Sequence, residues 1–279
     1  MAWLLLGARI GLIGVERLLL KALGRGASAA AATFLFFALG AAALTPWGLA
    51  QPLAPPARAA AVMSGLVFSV AFLFYLRSLA LDELSRVAPL GGLADVFTLA
   101  LAAALDAAPV GAAQALGTLL ILGGVAALEG AGWRGLMGLA RRRSGVYMVA
   151  YAALLAAERL IDQRGGAGAP PVAYTWTMFT TVTAALAAWL TARGGWGATV
   201  ALLRRRPLPA LGSAATNVGS YAALVALLDE FPVTVLEPVT SLSLLVSAYL
   251  GRAVYGERLR GRILPALAVA AGSALVLWR

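Results

Sequence analysis

The chain contains no cysteine and no histidine. Disulfides, thiol nucleophiles, Cys/His metal sites and histidine-based triads or proton relays are therefore excluded, and we predict neither a metal nor a cofactor. Any proton chemistry must use Asp, Glu, Tyr or Arg. Only 12% of the 279 residues are charged, whereas a soluble domain usually carries about 25%. Such a chain has too little polar surface to cover a water-soluble globule.

What the chain has in abundance is apolar sequence, since 61% of its residues are hydrophobic. Lipid is the solvent that such a surface requires. The net charge of +10 does not indicate nucleic-acid binding, because the charges form short clusters between apolar runs. Examples are the arginines at 141–143 and 204–206. This pattern is typical of cytoplasmic loops in membrane proteins.

Ten segments are long and apolar enough for us to predict transmembrane helices, given that a spanning helix needs about 20 residues. The longer connecting segments 129–143 and 193–207 contain Trp133 and Trp196 beside arginines. We predict that these two lie in the headgroup region. The predicted spans are 2–22, 28–49, 57–80, 84–105, 109–128, 144–162, 170–192, 208–228, 232–251 and 262–278.

The two halves of the chain resemble each other. The matches pair 15–18 with 157–160, 81–84 with 228–231, 88–90 with 237–239, and Gly123 with Gly272. Their offsets of 142, 147 and 149 rise in order, as a duplication with small insertions would give. We therefore predict two five-helix repeats, 1–140 and 141–279. Because five is odd, the second repeat must enter the bilayer from the opposite side, an arrangement characteristic of secondary transporters.

Arginine and lysine are distributed unevenly between the two sides of the predicted bundle. The loops after the first, third, fifth, seventh and ninth spans carry sixteen of them, and the opposite side carries three. The positive-inside rule then places both termini outside the cytoplasm, in a multi-pass protein of the cell inner membrane.

One carboxyl group lies inside the predicted fourth span. Asp95 is midway along 84–105 and has no opposite charge one turn away in its own span. An ionised, isolated carboxylate there would be very costly. Asp95 is therefore either protonated or paired with an arginine from another helix, for which Arg9 and Arg17 are candidates. It serves either as a coupling or substrate-binding group or as a structural tie.

Charged pairs recur at equivalent places in the first and sixth spans, as Glu16-Arg17 and Glu158-Arg159. Neighbours on a helix diverge by about 100°, so we expect one member to face the interior and the other to snorkel toward the interface.

The sixth predicted span has one polar face. Tyr147, Tyr151, Glu158 and Asp162 follow one another at spacings of 4, 7 and 4. This face either lines a wet cavity, or Glu158 to Asp162 is merely the exposed end of the helix.

The eighth predicted span carries a stripe of polar residues: Ser213, Thr216, Asn217, Ser220 and Tyr221. We expect the stripe to face protein or water rather than lipid, as cavity lining or as tight helix packing. Asn217 and Tyr221 are the members long enough to reach a solute.

Prolines interrupt the fourth and ninth spans at matching positions, Pro89 and Pro238, and Glu237 directly precedes the second. Each proline removes a backbone donor. Paired interruptions in two halves indicate a binding site at the membrane midplane, or else simple kinks.

The ten-span layout, the duplication and several phrases resemble the EamA-like ten-helix type of the drug/metabolite transporter superfamily. The resemblance implies an exporter or exchanger of amino acids or other small metabolites, working by alternating access. It also implies cytoplasmic termini, the reverse of what the arginine count predicts. The phrases are Tyr-Leu-Arg-Ser-Leu-Ala-Leu at 75–81, Val-Ala-Pro-Leu at 87–90, Leu-Glu-Pro-Val at 236–239 and Gly-Glu-Arg-Leu at 256–259.

The sequence thus predicts an all-α integral membrane protein that acts as a secondary transporter of a small solute, as a monomer or homodimer. A coupling proton, if one is used, falls to Asp95 or Glu158. The alternatives are a non-transporting assembly subunit or an intramembrane acid–base enzyme, although no enzyme signature is present. The predicted substrate-binding residues are Tyr75, Asp95, Tyr151, Glu158, Asn217, Tyr221 and Glu237.

Overall fold

The structure is a computed structural model that describes residues 1–24, 27–82, 90–105, 111–128, 138, 140–255 and 263–277. All regular secondary structure in these ranges is helical. The helices are α1 (Ala2–Gly24), α2 (Ala29–Ala50), α3 (Pro55–Leu81), α4 (Leu93–Ala104), α5 (Ala112–Leu128), α6 (Arg143–Gly166), α7 (Pro171–Arg193), α8 (Trp196–Arg205), α9 (Pro207–Leu227), α10 (Val233–Thr240), α11 (Ser243–Tyr255) and α12 (Ile263–Leu277).

Five of the described helical stretches are long and apolar enough to cross a membrane. They are Ala29–Ala50, Pro55–Ser78, Arg143–Gly166, Pro207–Leu227 and Val233–Gly251, the last of which covers α10 and most of α11. Helices α1 and α7 are of similar length but lie outside this group. Four charged residues occur in α1 and six threonines in α7. The helices α4, α5 and α12 are apolar but shorter.

The predicted spans overlap helices throughout, with two differences of detail. Within the fourth predicted span, Leu90 and Gly91 are helical, Gly92 forms a turn and α4 begins at Leu93, which puts Asp95 in the first turn of α4. Residues 84–89 of that span lie outside the described residues, so the position of Asp95 midway along the whole span stays a prediction. The ninth predicted span is divided into α10 and α11.

Of the two segments predicted to lie in the headgroup region, one is described by the structure and the other is mostly not. The predicted headgroup segment 193–207 contains the separate short helix α8. Pro89, the Gly-Glu-Arg-Leu phrase at 256–259 and most of segment 129–143 lie outside the described residues.

The described chain divides into two compact units, and each draws on both halves of the sequence. The first unit comprises Met1–Ser69 and Ile161–Glu230, and the second comprises Val70–Leu160 and Phe231–Arg279. These compact units do not test the predicted repeat boundary at 140/141, because a repeat is defined by internal sequence similarity and not by compactness. The boundary stays a prediction.

In the first unit, α1 packs antiparallel to α9. Leu19 of α1 lies against Gly212, and Leu12 lies against Gly219, so that rising numbers on one helix meet falling numbers on the other. The missing side chains of these glycines let the two backbones approach, as small residues commonly do in membrane helix pairs.

Helix α2 packs antiparallel to α7 in the same unit. The indole nitrogen of Trp176 donates a hydrogen bond to Thr45 Oγ1 at 3.2 Å. The rings of Phe37 and Phe179 meet edge to face with their centroids 4.9 Å apart. Pro171 begins α7 at a position where its missing N–H is not needed, and Gly194 ends α7 with a φ of 66°, a left-handed conformation that favours glycine.

In the second unit, α5 and α12 form a close antiparallel pair. A Cβ atom added to Gly117 would lie 2.5 Å from the carbonyl oxygen of Gly272. A Cβ added to Gly124 would lie 2.8 Å from the carbonyl oxygen of Pro265. Neither distance can accommodate a methyl group. The contact is therefore made by backbone against backbone, which only glycine permits at these positions.

Candidate functional site

Two helices of the second unit are interrupted at equivalent points of the chain. Leu90 and Gly91 are helical, Gly92 forms a turn, and α4 follows. Further along, α10 ends at Thr240, Ser241 and Leu242 form a turn, and α11 follows. Gly92 and Ser241 are 149 residues apart, the offset of the predicted repeat. Pro238 lies inside α10, one turn before the interruption.

The two interruptions are joined by side chains. Ser241 Oγ donates a hydrogen bond to Asp95 Oδ2 at 3.4 Å, a long and therefore weak contact. Asp95 lies in the first turn of α4, and its backbone N–H bonds to the carbonyl of Gly92. The first turn of a helix is a favourable place for a carboxylate, because the helix dipole is positive there. This position lowers the cost of placing Asp95 within an apolar segment.

An arginine lies between two carboxylates next to the second interruption. Arg159 Nη1 is 3.1 Å from Glu158 Oε2, and Arg159 Nε is 3.4 Å from Glu237 Oε1. The side chain of Glu158 is fully buried, whereas those of Arg159 and Glu237 are each 14% exposed. Glu158 faces the protein interior, as expected for one member of the pair, and snorkelling of its neighbour toward the interface stays a prediction. The flexible arginine stem bends back onto its neighbour, and this pairing compensates both charges.

Aromatic side chains lie beside this charged group. The rings of Tyr75 on α3 and Tyr151 on α6 have centroids 5.2 Å apart, and Phe72 lies 5.6 Å from Tyr75. Both tyrosines pack against a buried apolar cluster of Leu90, Ala126 and Met148. Such rings offer apolar area and a hydroxyl group to a bound molecule at low cost in conformational entropy.

Five of the seven predicted site residues therefore belong to the second unit. Glu158, Glu237 and Asp95 supply negative charge, and Arg159, which the sequence did not single out for binding, supplies positive charge. A signal for Arg159 was present, since it follows Glu158 in the recurring pair. We refer to these residues, with the two tyrosines, as the break cluster: Tyr75, Asp95, Tyr151, Glu158, Arg159, Glu237 and Ser241.

The other two predicted site residues, Asn217 and Tyr221, belong to the first unit. Tyr221 donates a hydrogen bond to Asp162 Oδ2 at 2.6 Å, and Tyr174 donates to Asp162 Oδ1 at 3.0 Å. Asp162 is fully buried. The alternative that Glu158 to Asp162 form an exposed helix end is therefore wrong. Tyr174 was not predicted, because nothing in the sequence of α7 indicates which of its faces meets α6.

The polar stripe of α9 is buried against protein, as expected. Ser213 and Ser220 each donate to a carbonyl of their own helix. Asn217 is 6% exposed, and within the described part of the chain its Nδ2 has no hydrogen-bond partner. A buried amide donor of this kind is unusual in proteins and costs free energy. It fits a role in holding a ligand or a water molecule.

Arg9 is buried in the first unit, at 3% exposure. Its Nη1 donates to the backbone carbonyl of Ser220 at 2.9 Å, while Ser220 Oγ lies 3.5 Å from Glu16 Oε2. Arg9 thus ties α1 to α9. Pairing of Asp95 with Arg9 or Arg17 stays a prediction. Among the residues described, no group of three or more Asp and Glu side chains is placed to hold a metal ion.

Comparison with known proteins bears on the fold. No family model matches the chain, and no curated protein matches it by sequence. Fourteen chains of solved structures match it. One of them, described only as "Crystal structure of protein", is 19% identical, superposes with a TM-score of 0.76, and covers 99% of this chain and 96% of that chain. The chain therefore shares its fold with an experimentally solved protein over nearly its whole length.

Proposed function

We propose that the chain is a secondary transporter of a small metabolite, such as an amino acid, in a bacterial-type inner membrane. The observation that carries this proposal is the pair of helix interruptions at Gly92 and Ser241, with carboxylates beside each. Paired helix interruptions at corresponding positions of two halves, with carboxylates beside them, are typical of substrate and ion sites in secondary transporters.

The antiparallel packing of equivalent helices supports an inverted repeat. Helix α2 and helix α7 begin 142 residues apart, and Gly123 of α5 matches Gly272 of α12. Both helix pairs run antiparallel. A two-fold axis in the membrane plane relates two halves in this way, whereas repeats inserted in the same direction would have parallel equivalents. In this proposal ten segments cross the bilayer. The two halves move so that a central cavity opens to one side of the membrane and then to the other.

The break cluster suits a solute that carries both charges. When a solute displaces their mutual contact, Arg159 can donate to a carboxylate and Glu237 can accept from an ammonium group. Of the cluster, Glu158 is buried, whereas Arg159 and Glu237 are partly exposed and can be reached by a solute.

Exchange in proteoliposomes tests the proposal. Vesicles containing the purified protein are loaded with unlabelled amino acids, and a labelled amino-acid mixture is added outside. We expect label to accumulate by counterflow. Glu237→Gln should reduce the rate at least tenfold, since losing a charge-assisted contact of about 1.5–3 kcal/mol corresponds to roughly a 10- to 150-fold effect. Glu230→Gln, which alters an exposed carboxylate, should exchange normally.

Asp95→Asn separates binding from coupling. We expect it to retain counterflow but to lose uptake driven by an imposed pH gradient, because an amide cannot carry a proton. Coupled flux at the wild-type level in this variant would rule out Asp95 as the proton site. Absence of counterflow in the correctly folded wild-type protein, with every class of small metabolite tried, would favour an assembly subunit.

A further inference from the structure

Helix α8 is a ten-residue amphipathic helix at one end of the first unit. Its buried side holds Thr199 and Leu202, and Leu202 packs against Leu23 and Leu35. The ring of Trp196 meets that of Phe34 edge to face, with the centroids 5.0 Å apart. The helix is therefore fixed to α1 and α2 along one side.

The opposite side of α8 is apolar along most of its length and basic at its end. Val200 is 47% exposed, and Ala198 and Ala201 are also exposed. Arg204 and Arg205 follow, and both are exposed. In water the apolar strip would be left uncovered, although the two arginines would be well solvated. A phospholipid covers both parts, with its acyl chain on the strip and its headgroup at the arginines.

Neighbouring residues add positive charge to the same end of the unit. The third arginine of the run, Arg206, is committed to the protein, because its Nη1 donates to the carbonyls of Ala22 at 2.7 Å and Leu23 at 2.9 Å. This clamp brings the C-terminus of α1, where Lys21 is exposed, to the end of α8. Arg193 precedes α8, is exposed, and lies 5.9 Å from the ring of Trp189.

Negative charge in the described part of the first unit lies elsewhere. Asp229 and Glu230 follow the C-terminus of α9, whereas the arginine run precedes its N-terminus. A helix of 21 residues is about 30 Å long, several times the distance over which exposed charges interact at physiological salt. Asp162 is buried, and Glu16 lies inside α1.

We infer that the exposed side of α8, with Arg204 and Arg205, binds an anionic phospholipid. The apolar strip selects a lipid rather than a free anion, and the two arginines select an anionic headgroup over a zwitterionic one. This inference does not depend on transport, since it concerns the surface of the first unit and not the break cluster.

Lipid titration followed by native mass spectrometry tests it. The purified, delipidated protein in an uncharged detergent is titrated with phosphatidylglycerol or with phosphatidylcholine of the same acyl chains. We expect tighter binding of phosphatidylglycerol, weakening as salt is raised. Since each basic residue near an anionic surface contributes about a fivefold effect, Arg204→Gln/Arg205→Gln should lose roughly 25-fold in affinity for phosphatidylglycerol.

The matched control is Arg141→Gln/Arg142→Gln, which removes two other exposed, adjacent arginines and should leave the affinity unchanged. Equal losses in both double variants would overturn the inference, because binding would then follow net charge alone. Equal affinity for the two lipids would also overturn it. Competition by inorganic phosphate at millimolar concentration would mark a simple anion site instead of a lipid site.

Discussion

At the residue scale, the chain stabilises its buried carboxylates in two different ways. Asp162 accepts hydrogen bonds from the hydroxyl groups of Tyr174 and Tyr221, whereas Glu158 is paired with the guanidinium of Arg159. Phenol donors leave the negative charge in place, while a guanidinium compensates it. A neutral donor pair is easier to separate from a carboxylate than a cation is, because no uncompensated charge is created on the donor side.

The Tyr221 hydroxyl should contribute measurably to stability. Tyr221→Phe removes a short hydrogen bond to a buried carboxylate, and we expect the free energy of unfolding to fall by about 1.5–3 kcal/mol. The measurement is denaturant-induced unfolding in detergent micelles, followed by tryptophan fluorescence. Tyr249→Phe is the control, since Tyr249 is 68% exposed and should give no change. A loss below about 0.5 kcal/mol in Tyr221→Phe would contradict the assigned bond.

Sequence reasoning located many individual site residues but not their partners. Glu158, Glu237 and Asp95 could be chosen because charge inside an apolar segment is costly and needs a reason. Their partners Arg159, Tyr174 and Ser241 depend on which helix faces which, and composition does not encode this. The burial of Asp162 could not be predicted for the same reason. Only the packing of α7 and α9 against α6 shows that this part of the helix is buried.

At the scale of helices, glycine decides how closely α5 and α12 approach. Gly124 lies against α12, and its neighbour Gly123 has no heavy atom within 4 Å of where a Cβ would be. The two adjacent glycines on one helix therefore serve different purposes. Gly124 permits the contact, and Gly123 has no steric requirement in this structure.

These neighbours provide a matched pair of substitutions. Gly124→Ala should destabilise the protein by about 1–3 kcal/mol, because the new methyl group forces the backbones of α5 and α12 apart. Gly123→Ala should be neutral or stabilising by up to about 1 kcal/mol, through helix propensity alone. Thermal unfolding in detergent compares them. Equal effects of the two substitutions would mean that α5 and α12 are not in close contact.

The positions of the helices followed from apolar length, but the helix interruptions did not. The glycines near 92 and the proline at 238 indicated that the fourth and ninth spans are irregular there. They did not predict the residue at which each helix ends. The turn at Gly92 places Asp95 in the first turn of α4, where the helix dipole favours its negative charge. Such a break depends on contacts between helices, such as that of Ser241 with Asp95. The residue pattern of one helix does not predict contacts with another.

At the scale of the whole molecule, the absence of cysteine makes the membrane orientation directly measurable. We predict that Arg205, which precedes the N-terminus of α9, is on the cytoplasmic side, and that Glu230, which follows its C-terminus, is on the other side, as the positive-inside rule implies. Single cysteines are introduced as Arg205→Cys and Glu230→Cys, both at exposed positions. A membrane-impermeant maleimide applied to intact cells should label only Glu230→Cys.

Permeabilised cells provide the control, in which both variants should react. Labelling of Arg205→Cys alone in intact cells would reverse the orientation and place both termini in the cytoplasm, as the family resemblance implies. Labelling of both variants at equal rates in intact cells would contradict a membrane-spanning α9.

The bond between Arg9 and Ser220 joins residues that are 211 positions apart. Ribosomes add roughly 5–20 residues per second, so about 10–40 s pass between synthesis of the arginine and synthesis of its acceptor. During that interval the carbonyl group that accepts this bond does not yet exist. The contact between α1 and α9 is therefore completed only after α9 emerges, long after α1 itself has been made.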